Sequence, residues 1–322
     1  MNKKLFLLFG IAIFCLHFTA IRAQDLPNKT IKIIVPFPPG GGNDAIARII
    51  ANKLSINWGK TVIVDNRSGA GGNVGAETVY TSTPDGTTLL LTTQGPLVVN
   101  KSLYQRISYD SDLFVPISLI AVTNSFLVLN QKLPINSLTE LIKYAKSNPN
   151  KINYASQGIG SAAHLAAELF SSMADVKLTH VPYKGTGPAI VDLISGQIDV
   201  MFAESSSTSP LIQSSKLKLI AIGSEKRNLQ NYPDIPTVDE FLPGFLAMTW
   251  YGLVAPPNTP PNISAFLSTS IINTINQSDV NKSLKDIGVT PVGSSPKELI
   301  SFMKQEQERW GKVIKLTGSK AD

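Results

Sequence analysis

Apolar and polar positions along the chain alternate between the pattern of buried strands and the pattern of amphipathic helices. Residues 31–37 are mostly apolar and predict a strand, and Ile46, Ile50 and Leu54 follow at helical spacing. The same alternation recurs in a second block, and three helices close the chain. The order of elements predicts an α/β fold built from βαβ units. The other predicted strands are 61–64, 87–93, 152–155, 178–181 and 198–202, and the other predicted helices are 73–82, 137–147, 162–173, 188–195, 262–276, 279–287 and 296–316.

Two extended segments, residues 116–130 and 244–257, separate these blocks. Each is about as long as a strand that leaves one domain and enters another. They predict a discontinuous first domain, residues 24–123 plus 250–322, into which a second domain, residues 124–249, is inserted. Two crossings would form a hinge, and the cleft between the domains is the expected ligand site.

The N-terminal segment has the composition of a secretory signal. Lys3 and Lys4 precede an apolar run over residues 5–21, and Ala23 ends it with a spacing that signal peptidase accepts. We expect residues 1–23 to be removed and the mature chain to be periplasmic. An uncleaved anchor is the alternative.

Charge and cysteine content narrow the function further. The chain carries a net charge of +6, but three of its basic residues lie in the signal segment. No cluster of five or more Lys and Arg follows that segment, so nucleic acid is excluded as a partner. The single cysteine, Cys15, also lies in the signal segment, so the mature fold depends on its hydrophobic core instead of on disulfides.

The strongest local motif is "PFPPGGGND", residues 36–44, between the first strand and the first helix. Glycine allows close backbone approach and positive φ, and the helix start offers unpaired N–H groups, so the loop suits an anion. The alternative interpretation is a tight turn in which Asn43 or Asp44 caps the helix.

Two further strand exits are rich in glycine. In "YASQGIGSAAHLAAELF", residues 154–170, Ser161 is the expected helix cap. In "HVPYKGTGPAIVDLISGQID", Pro188 suits a first helical turn, and Tyr183 and Lys184 either line the cleft or serve packing and solvation. Glu204 follows a strand and is the one carboxylate expected at the cleft.

Nucleotide binding and catalysis are poorly supported. No Lys follows Gly42 as a phosphate loop requires, and Val74 stands where the dinucleotide fingerprint needs glycine. His164 and His180 lie sixteen residues apart, which is not zinc-site spacing, and no metal or cofactor is expected. Ser161 and His164 could be imagined as a hydrolase dyad, but cap and first-turn residue is the simpler interpretation.

Arg67 has two interpretations. It could clamp a ligand carboxylate, or it could pair with Asp65 in a purely structural role, which the sequence favours.

Eight segments taken together resemble one known family, the tripartite tricarboxylate transporter substrate-binding proteins or Bug receptors. The segments are "PFPPGGGND", "NRSGAGG", "PDGTTLLL", "INYASQGIGSAAHLAAELF", "HVPYKGTGPAIVDLISGQIDVMF", "PDIPTVDEF", "APPNTPP" and "RWGKVIKLTG". The resemblance implies a periplasmic solute-binding protein, not an enzyme, with the two-domain type II Venus-flytrap fold and two crossover hinge strands. It further implies a monomer that binds small carboxylated solutes for a transporter composed of a large and a small membrane subunit.

The resemblance also implies ligand contacts, which fall into three groups. The first loop would hold one carboxylate through its backbone and waters, the second and third loops would lie opposite, and the ends of two strands would touch the variable part of the ligand. The positions are Pro38, Gly40, Gly41, Gly42, Asn43 and Asp44; Ser156, Gly158, Gly160, Ser161, Ala162, Tyr183 and Lys184; and Thr93, Gln94 and Glu204.

The chain departs from the family pattern at positions that bear on ligand choice. Asn43 stands where members often carry Thr, and "FAESSSTSP", residues 202–210, replaces a stretch that commonly reads Phe-Asp-Asn-Leu-Pro. Glu204 would then repel a second carboxylate or pair with a ligand ammonium. Two alternatives to a role in transport remain. The protein could, when loaded with ligand, be the partner of a membrane signalling receptor, or it could be a serine hydrolase.

Overall fold

The computed structural model describes residues 29–227 and 231–321, so the predicted signal segment and its cleavage site after Ala23 lie outside the described residues. The first part of the fold alternates strands and helices, as the pattern predicts. Its elements are β1 (Ile31–Val35), α1 (Gly42–Trp58), β2 (Val62–Asn66), α2 (Asn73–Tyr80), β3 (Thr88–Thr92), α3 (Asn100–Leu103) and β4 (Val115–Asn130). A short π-helical segment, Gly95–Val99, joins β3 to α3.

The second part repeats the alternation and ends in a helix and an edge strand. Its elements are α4 (Leu138–Ser147), β5 (Asn153–Ser156), α5 (Ala162–Ala174), β6 (Thr179–Pro182), α6 (Thr186–Ser195), β7 (Val200–Glu204), α7 (Ser205–Gln213) and β8 (Leu217–Ile222). The chain then returns to the first part through β9 (Met248–Ala255), α8 (Pro261–Asn276), α9 (Ser278–Asp286), β10 (Thr290–Pro291) and α10 (Pro296–Thr317).

Strand β4 is shared by both parts of the sheet, whose order is β2-β1-β3-β9-β4-β7-β5-β6. Its first ten residues pair with β9, and its last residues pair with β7 and β8. Pairing within β2-β1-β3 and within β6-β5-β7 is parallel, which is typical of βαβ units. The two long extended segments predicted from the sequence are therefore present as β4 and β9.

The buried apolar residues form separate cores on the two sides of this crossing. Two clusters draw on residues 31–121 and 250–321, and two others draw on residues 126–247. Leu165 of α5 is an exception, since it packs in the first side's core with Trp250 and Trp310. The boundaries 24–123, 124–249 and 250–322 stay a prediction, but the division of the core follows them closely.

Helix α10 ties the end of the chain to both sides. It begins with a capping box, in which Ser295 Oγ accepts the Glu298 N–H and the Glu298 carboxylate accepts the Ser295 N–H. Farther along, the buried carboxylate of Glu306 accepts both indole N–H groups, from Trp250 at 2.9 Å and from Trp310 at 3.0 Å. Two large apolar side chains are thus oriented by one buried acceptor.

Helix α7 and strand β8 of the second part were not predicted from the sequence. Helix α7 contains four Ser or Thr within residues 205–208 and an internal Pro210, a composition typical of loops. It forms because the Thr208 hydroxyl bonds back to the Glu204 carbonyl at 3.0 Å and the helix lies against β4 and β8.

Within residues 29–227 and 231–321, no helix is both long and apolar enough to cross a membrane.

Candidate functional site

The candidate site is a cavity of about 230 Å³ between the first glycine-rich loop and the two loops of the second part. Nine residues predicted to contact a ligand line it: Pro38, Gly40, Gly41, Gly42, Asn43, Thr93, Ser161, Ala162 and Glu204. An apolar cavity of about 150 Å³ accommodates benzene, so this volume suits a small organic solute.

Asp44 builds the first loop but does not line the cavity. Its carboxylate accepts the Gly40 N–H at 3.0 Å, Arg48 Nε at 2.9 Å and Asn66 Nδ2 at 3.1 Å. Burial acts to raise the pKa of this carboxyl, but these hydrogen bonds outweigh it and lower the pKa below its ordinary value. Asp44 therefore fixes the loop conformation, and the Gly40 N–H is already used.

The alternative interpretation, in which Asn43 or Asp44 caps α1, is wrong about the cap. The N-cap residue is Gly41, which provides no side-chain hydrogen bond, and Asn43 and Asp44 both lie inside the first turn of α1. The Asp44 carboxylate accepts the loop N–H of Gly40 and the side chain of Arg48 one turn along α1, and it does not cap the helix start. The N–H groups at the start of α1 are consequently left without a side-chain partner from the cap.

The second loop joins β5 to α5 and confirms Ser161 as a helix cap, since its Oγ accepts the His164 N–H at 3.4 Å. Gly158 and Gly160 adopt φ of 119° and 82°, which glycine tolerates best. Ser156 is fully buried and accepts the Gly158 N–H, so it shapes the loop from behind. Ser156, Gly158 and Gly160 do not line the cavity.

The third loop places Gly185, Thr186, Gly187 and Pro188 at the cavity. The hydroxyl of Tyr183 instead donates to Asp192 of α6 at 2.7 Å. Tyr183, Lys184 and Gln94 do not line the cavity in this conformation, and their contact with a ligand stays a prediction.

The loops of the two sides touch around the cavity. A Cβ added to Gly185 would lie 3.3 Å from the Pro38 ring, and one added to Gly71 would lie 2.8 Å from the Ile159 carbonyl oxygen. At Gly71, whose φ is 60°, only glycine allows this approach, whereas a side chain at Gly185 would require the Pro38 ring to shift by a few tenths of an ångström. The cavity is therefore held between loops that are already in contact.

The starts of four helices surround the cavity. The N-terminal residues of α1, α5 and α6 line it, and so does Glu204, the residue directly before α7. Each helix start presents unpaired N–H groups and the positive end of a helix dipole. No Lys, Arg or His belongs to this lining among residues 29–227 and 231–321. A bound anion would be held chiefly by backbone N–H groups.

Glu204 and Gln157 form the polar wall of the cavity. Gln157 Nε2 lies 3.2 Å from both carboxylate oxygens of Glu204 and 3.1 Å from Thr186 Oγ1. Burial raises the pKa of the Glu204 carboxyl above its ordinary value, although hydrogen bonds from Thr186 and Gln157 oppose the shift.

Several cavity residues were not identified from the sequence: Phe37, Pro39, Gln157, Gly185, Thr186, Gly187 and Pro188 as wall residues. Gln157 stands inside the "SQGIGS" motif, next to positions that were identified. Its place one residue after a strand end is the signal that could have found it. Arg67 forms the predicted ion pair with Asp65, at 3.0 Å, and lies outside the cavity wall.

Ser161 and His164 do not form the hydroxyl–imidazole contact that a serine hydrolase requires. Ser161 Oγ bonds the backbone N–H of His164, while His164 Nδ1 accepts the Gly160 N–H at 3.3 Å. No hydrogen bond joins the hydroxyl to the imidazole in the part of the chain that the structure describes. That part also holds no group of three or more His, Cys, Asp or Glu placed to bind a metal ion.

Comparison with known proteins decides the family. The family model described as "Tripartite tricarboxylate transporter family receptor" matches residues 46–319. The chain belongs to this family. The tripartite tricarboxylate transporter receptors are solute-binding proteins and not enzymes, and neither the hydrolase nor the signalling alternative gains support from the match.

Several known proteins are similar to this chain over most of its length. BugT of Bordetella pertussis is 37% identical over 304 residues, covering 93% of this chain and 93% of BugT. The structure of the periplasmic binding protein BugD has a TM-score of 0.85 and 33% identity, covering 91% of this chain and 99% of BugD. These matches confirm the type II periplasmic-binding-protein fold.

Two similar structures were determined with small acids. One is an R. palustris protein with adipate, with a TM-score of 0.86 and 33% identity, covering 91% of this chain and 99% of the other. The second is MatC from Rhodopseudomonas palustris with bound malate, with a TM-score of 0.84 and 32% identity, covering 89% and 99% of the two chains.

Proposed function

We propose that this receptor captures a small solute bearing a carboxylate in the cavity described above. The observation that carries the proposal is the convergence of four helix starts on a cavity without a basic side chain. A hydrogen bond to a charged group contributes about 1.5–3 kcal/mol, so three or four backbone contacts suffice for micromolar affinity after ordering costs. The adipate and malate of the two similar structures are acids of this kind.

The protein would act in the periplasm once residues 1–23 are removed, as a monomer. There it would deliver its solute to the membrane subunits of a tripartite tricarboxylate transporter. Ligand contacts from both sides of the cavity favour the conformation in which the loops touch, because only a difference in contacts shifts such an equilibrium. The transporter would recognise that closed conformation.

The test is calorimetric and thermal titration of the mature chain with small mono- and dicarboxylates and with the matching amides. Acids should give saturable heats of binding and a melting temperature that rises with ligand concentration, corresponding to about 2.7 kcal/mol of stabilisation at a hundredfold excess over Kd, and amides should do neither.

A blocked variant localises the binding. Gly187 lines the cavity and a Cβ there meets no atom within 4 Å, so the side chain of Gly187→Leu begins in open space beside the cavity. Gly311 of α10 is equally unobstructed and lies away from the cavity, so Gly311→Leu is the matched control. Binding should be lost only in the first variant. Equal binding by both, or no acid bound by the unmodified chain, would contradict the proposal.

A further inference from the structure

The cavity presents an excess of hydrogen-bond acceptors on one wall. Glu204 is 8% exposed and lines the cavity with both carboxylate oxygens close to a single amide group, that of Gln157. The Oε1 of Gln157 is buried without a hydrogen-bond partner among the described residues. Asn43, 7% exposed, also lines the cavity and has an unpartnered Oδ1. A buried acceptor without a donor is costly, so this wall is incomplete without a group that donates.

The hydrogen bonds that Glu204 receives come from neutral groups, namely the side chains of Gln157 and Thr186 and its own backbone. Gln157 Nε2 carries two hydrogens and is shared among both Glu204 oxygens and Thr186 Oγ1. An ionised carboxylate accepts about four hydrogen bonds. The contact fixes the orientation of the carboxylate and leaves lone pairs directed away from Gln157.

No cation neutralises this carboxylate. Glu204 takes part in none of the ion pairs formed within residues 29–227 and 231–321, and the cavity lining contains no basic side chain. A second carboxylate entering the cavity would therefore face Glu204 without a mediating charge. Like charges in a desolvated site disfavour binding strongly.

The cavity is consequently divided by polarity. The helix starts provide donors for one carboxylate, and the wall of Glu204 and Gln157 provides acceptors for a different group. In about 230 Å³ a single small solute would occupy both ends.

We propose that Glu204 is a specificity-determining residue, which selects acids that carry a hydroxyl or ammonium donor beside their one carboxylate and rejects unsubstituted dicarboxylates. The inference rests on the proposed function and adds the substrate class to it. It separates this chain from a receptor that takes adipate.

The test uses four acids with the same four-carbon chain: butanoate, 4-hydroxybutanoate, 4-aminobutanoate and succinate. The matching six-carbon set, hexanoate, 6-hydroxyhexanoate, 6-aminohexanoate and adipate, covers a longer spacing. Titration calorimetry on the mature chain should give tighter binding of the hydroxy or amino acid than of the plain acid, by about tenfold to a hundredfold in Kd, and weakest binding of the diacid.

Glu204→Gln keeps the size of the side chain and removes its charge. The preference for the ammonium compound should fall by about tenfold or more, and the diacid should gain affinity. Glu204→Asp, which keeps the charge, should preserve the order of preference, and it serves as the second variant if the first folds poorly. Glu77→Gln, on the exposed face of α2, removes one charge outside the cavity and should change nothing.

The outcomes separate the two proposals. If acids bind but the unmodified chain prefers the diacid, or if Glu204→Gln leaves the preference unchanged, the role of Glu204 is overturned while carboxylate capture stands. If no acid of either set or of the wider panel binds, both proposals fall.

Discussion

The stability of this protein should fall on mild acidification because two imidazoles are packed against each other behind the second loop. The ring centroids of His164 and His180 lie 4.6 Å apart, and His180 also stacks on Tyr154 at 4.8 Å. His164 is 5% exposed and its Nδ1 already accepts the Gly160 N–H. His180 Nε2 lies 2.6 Å from Ser156 Oγ. Burial leaves little water to solvate a charge on His164, whereas His180 is only partly buried.

Burial lowers the pKa of His164 from 6.5 to about 4. It also lowers the pKa of His180 to about 4, with a smaller contribution from His164 and an opposing one from Glu168. Between these values and 6.5 the unfolded chain binds more protons than the folded chain, so the free energy of unfolding decreases as pH falls through that window. For His164 alone the loss amounts to about 2 kcal/mol at pH 5 and about 3 kcal/mol at pH 4. His180 is only partly buried and adds less.

The assay is urea unfolding of the mature chain at pH 7.5, 6.5, 5.5 and 5.0, for the unmodified protein and for a His164→Asn, His180→Gln double variant. Both replacements keep an acceptor near the original ring nitrogen and cannot take up a proton. The unmodified protein should lose about 2 kcal/mol or more relative to the variant between pH 7.5 and 5.0.

Other titrating groups do not confuse the comparison. Glu240, whose pKa hydrogen bonds from Arg227 lower to about 2, loses its contribution only below its unfolded pKa near 4.5. Glu204 has a raised pKa and acts in the opposite direction, but it is common to both proteins and cancels in the difference. Parallel pH profiles for the two proteins would refute the assignment to the imidazoles.

Two further substitutions test packing that supports the site. Gly160→Ala forces a side chain onto a backbone with φ of 82° and places its Cβ 2.6 Å from Asn100 Oδ1, so we expect a loss of about 1–2 kcal/mol in denaturant unfolding and weaker acid binding. Gly187→Ala is the control, and equal stability of the two would contradict the argument. Glu306→Ala leaves the two buried indole N–H groups without their acceptor and should cost about 2–4 kcal/mol in the same measurement, whereas Glu306→Gln should cost less because it still accepts.

Much of the fold follows from local pattern, and the exceptions have physical causes. Apolar periodicity and glycine-rich strand exits predicted β1, β5 and α5 to within two residues at each boundary, and they predicted the presence of α1 without its bounds. Helix α7 escaped because its Ser- and Thr-rich sequence has low helix propensity and depends on tertiary contacts. Strand β8 likewise owes its place to pairing with the end of β4, which is a contact remote in sequence.

The candidate site was predictable where the backbone makes it and less so where side chains make it. A run of three glycines between a strand and a helix is visible in the sequence, which explains why Gly40, Gly41 and Gly42 were identified. The direction of a side chain depends on neighbours that the sequence does not reveal. The side chain of Asp44 bonds within its own loop and that of Tyr183 bonds to α6, whereas Gln157 lines the cavity.

The cavity combines backbone N–H groups at helix starts with side chains that form the rest of its wall, and these two parts can change independently. Backbone N–H groups at helix starts provide the same positive potential whatever side chains the helices carry, so carboxylate capture does not constrain the rest of the cavity. On the proposed function, discrimination among acids would come from the side chains that complete the cavity wall, which include Glu204, Gln157, Asn43 and Thr93. Because Glu204 sits directly before α7 and is oriented by one amide, its replacement alters the charge of the wall without disturbing the helix starts. Ligand choice can therefore diverge at that position while the anion site is retained.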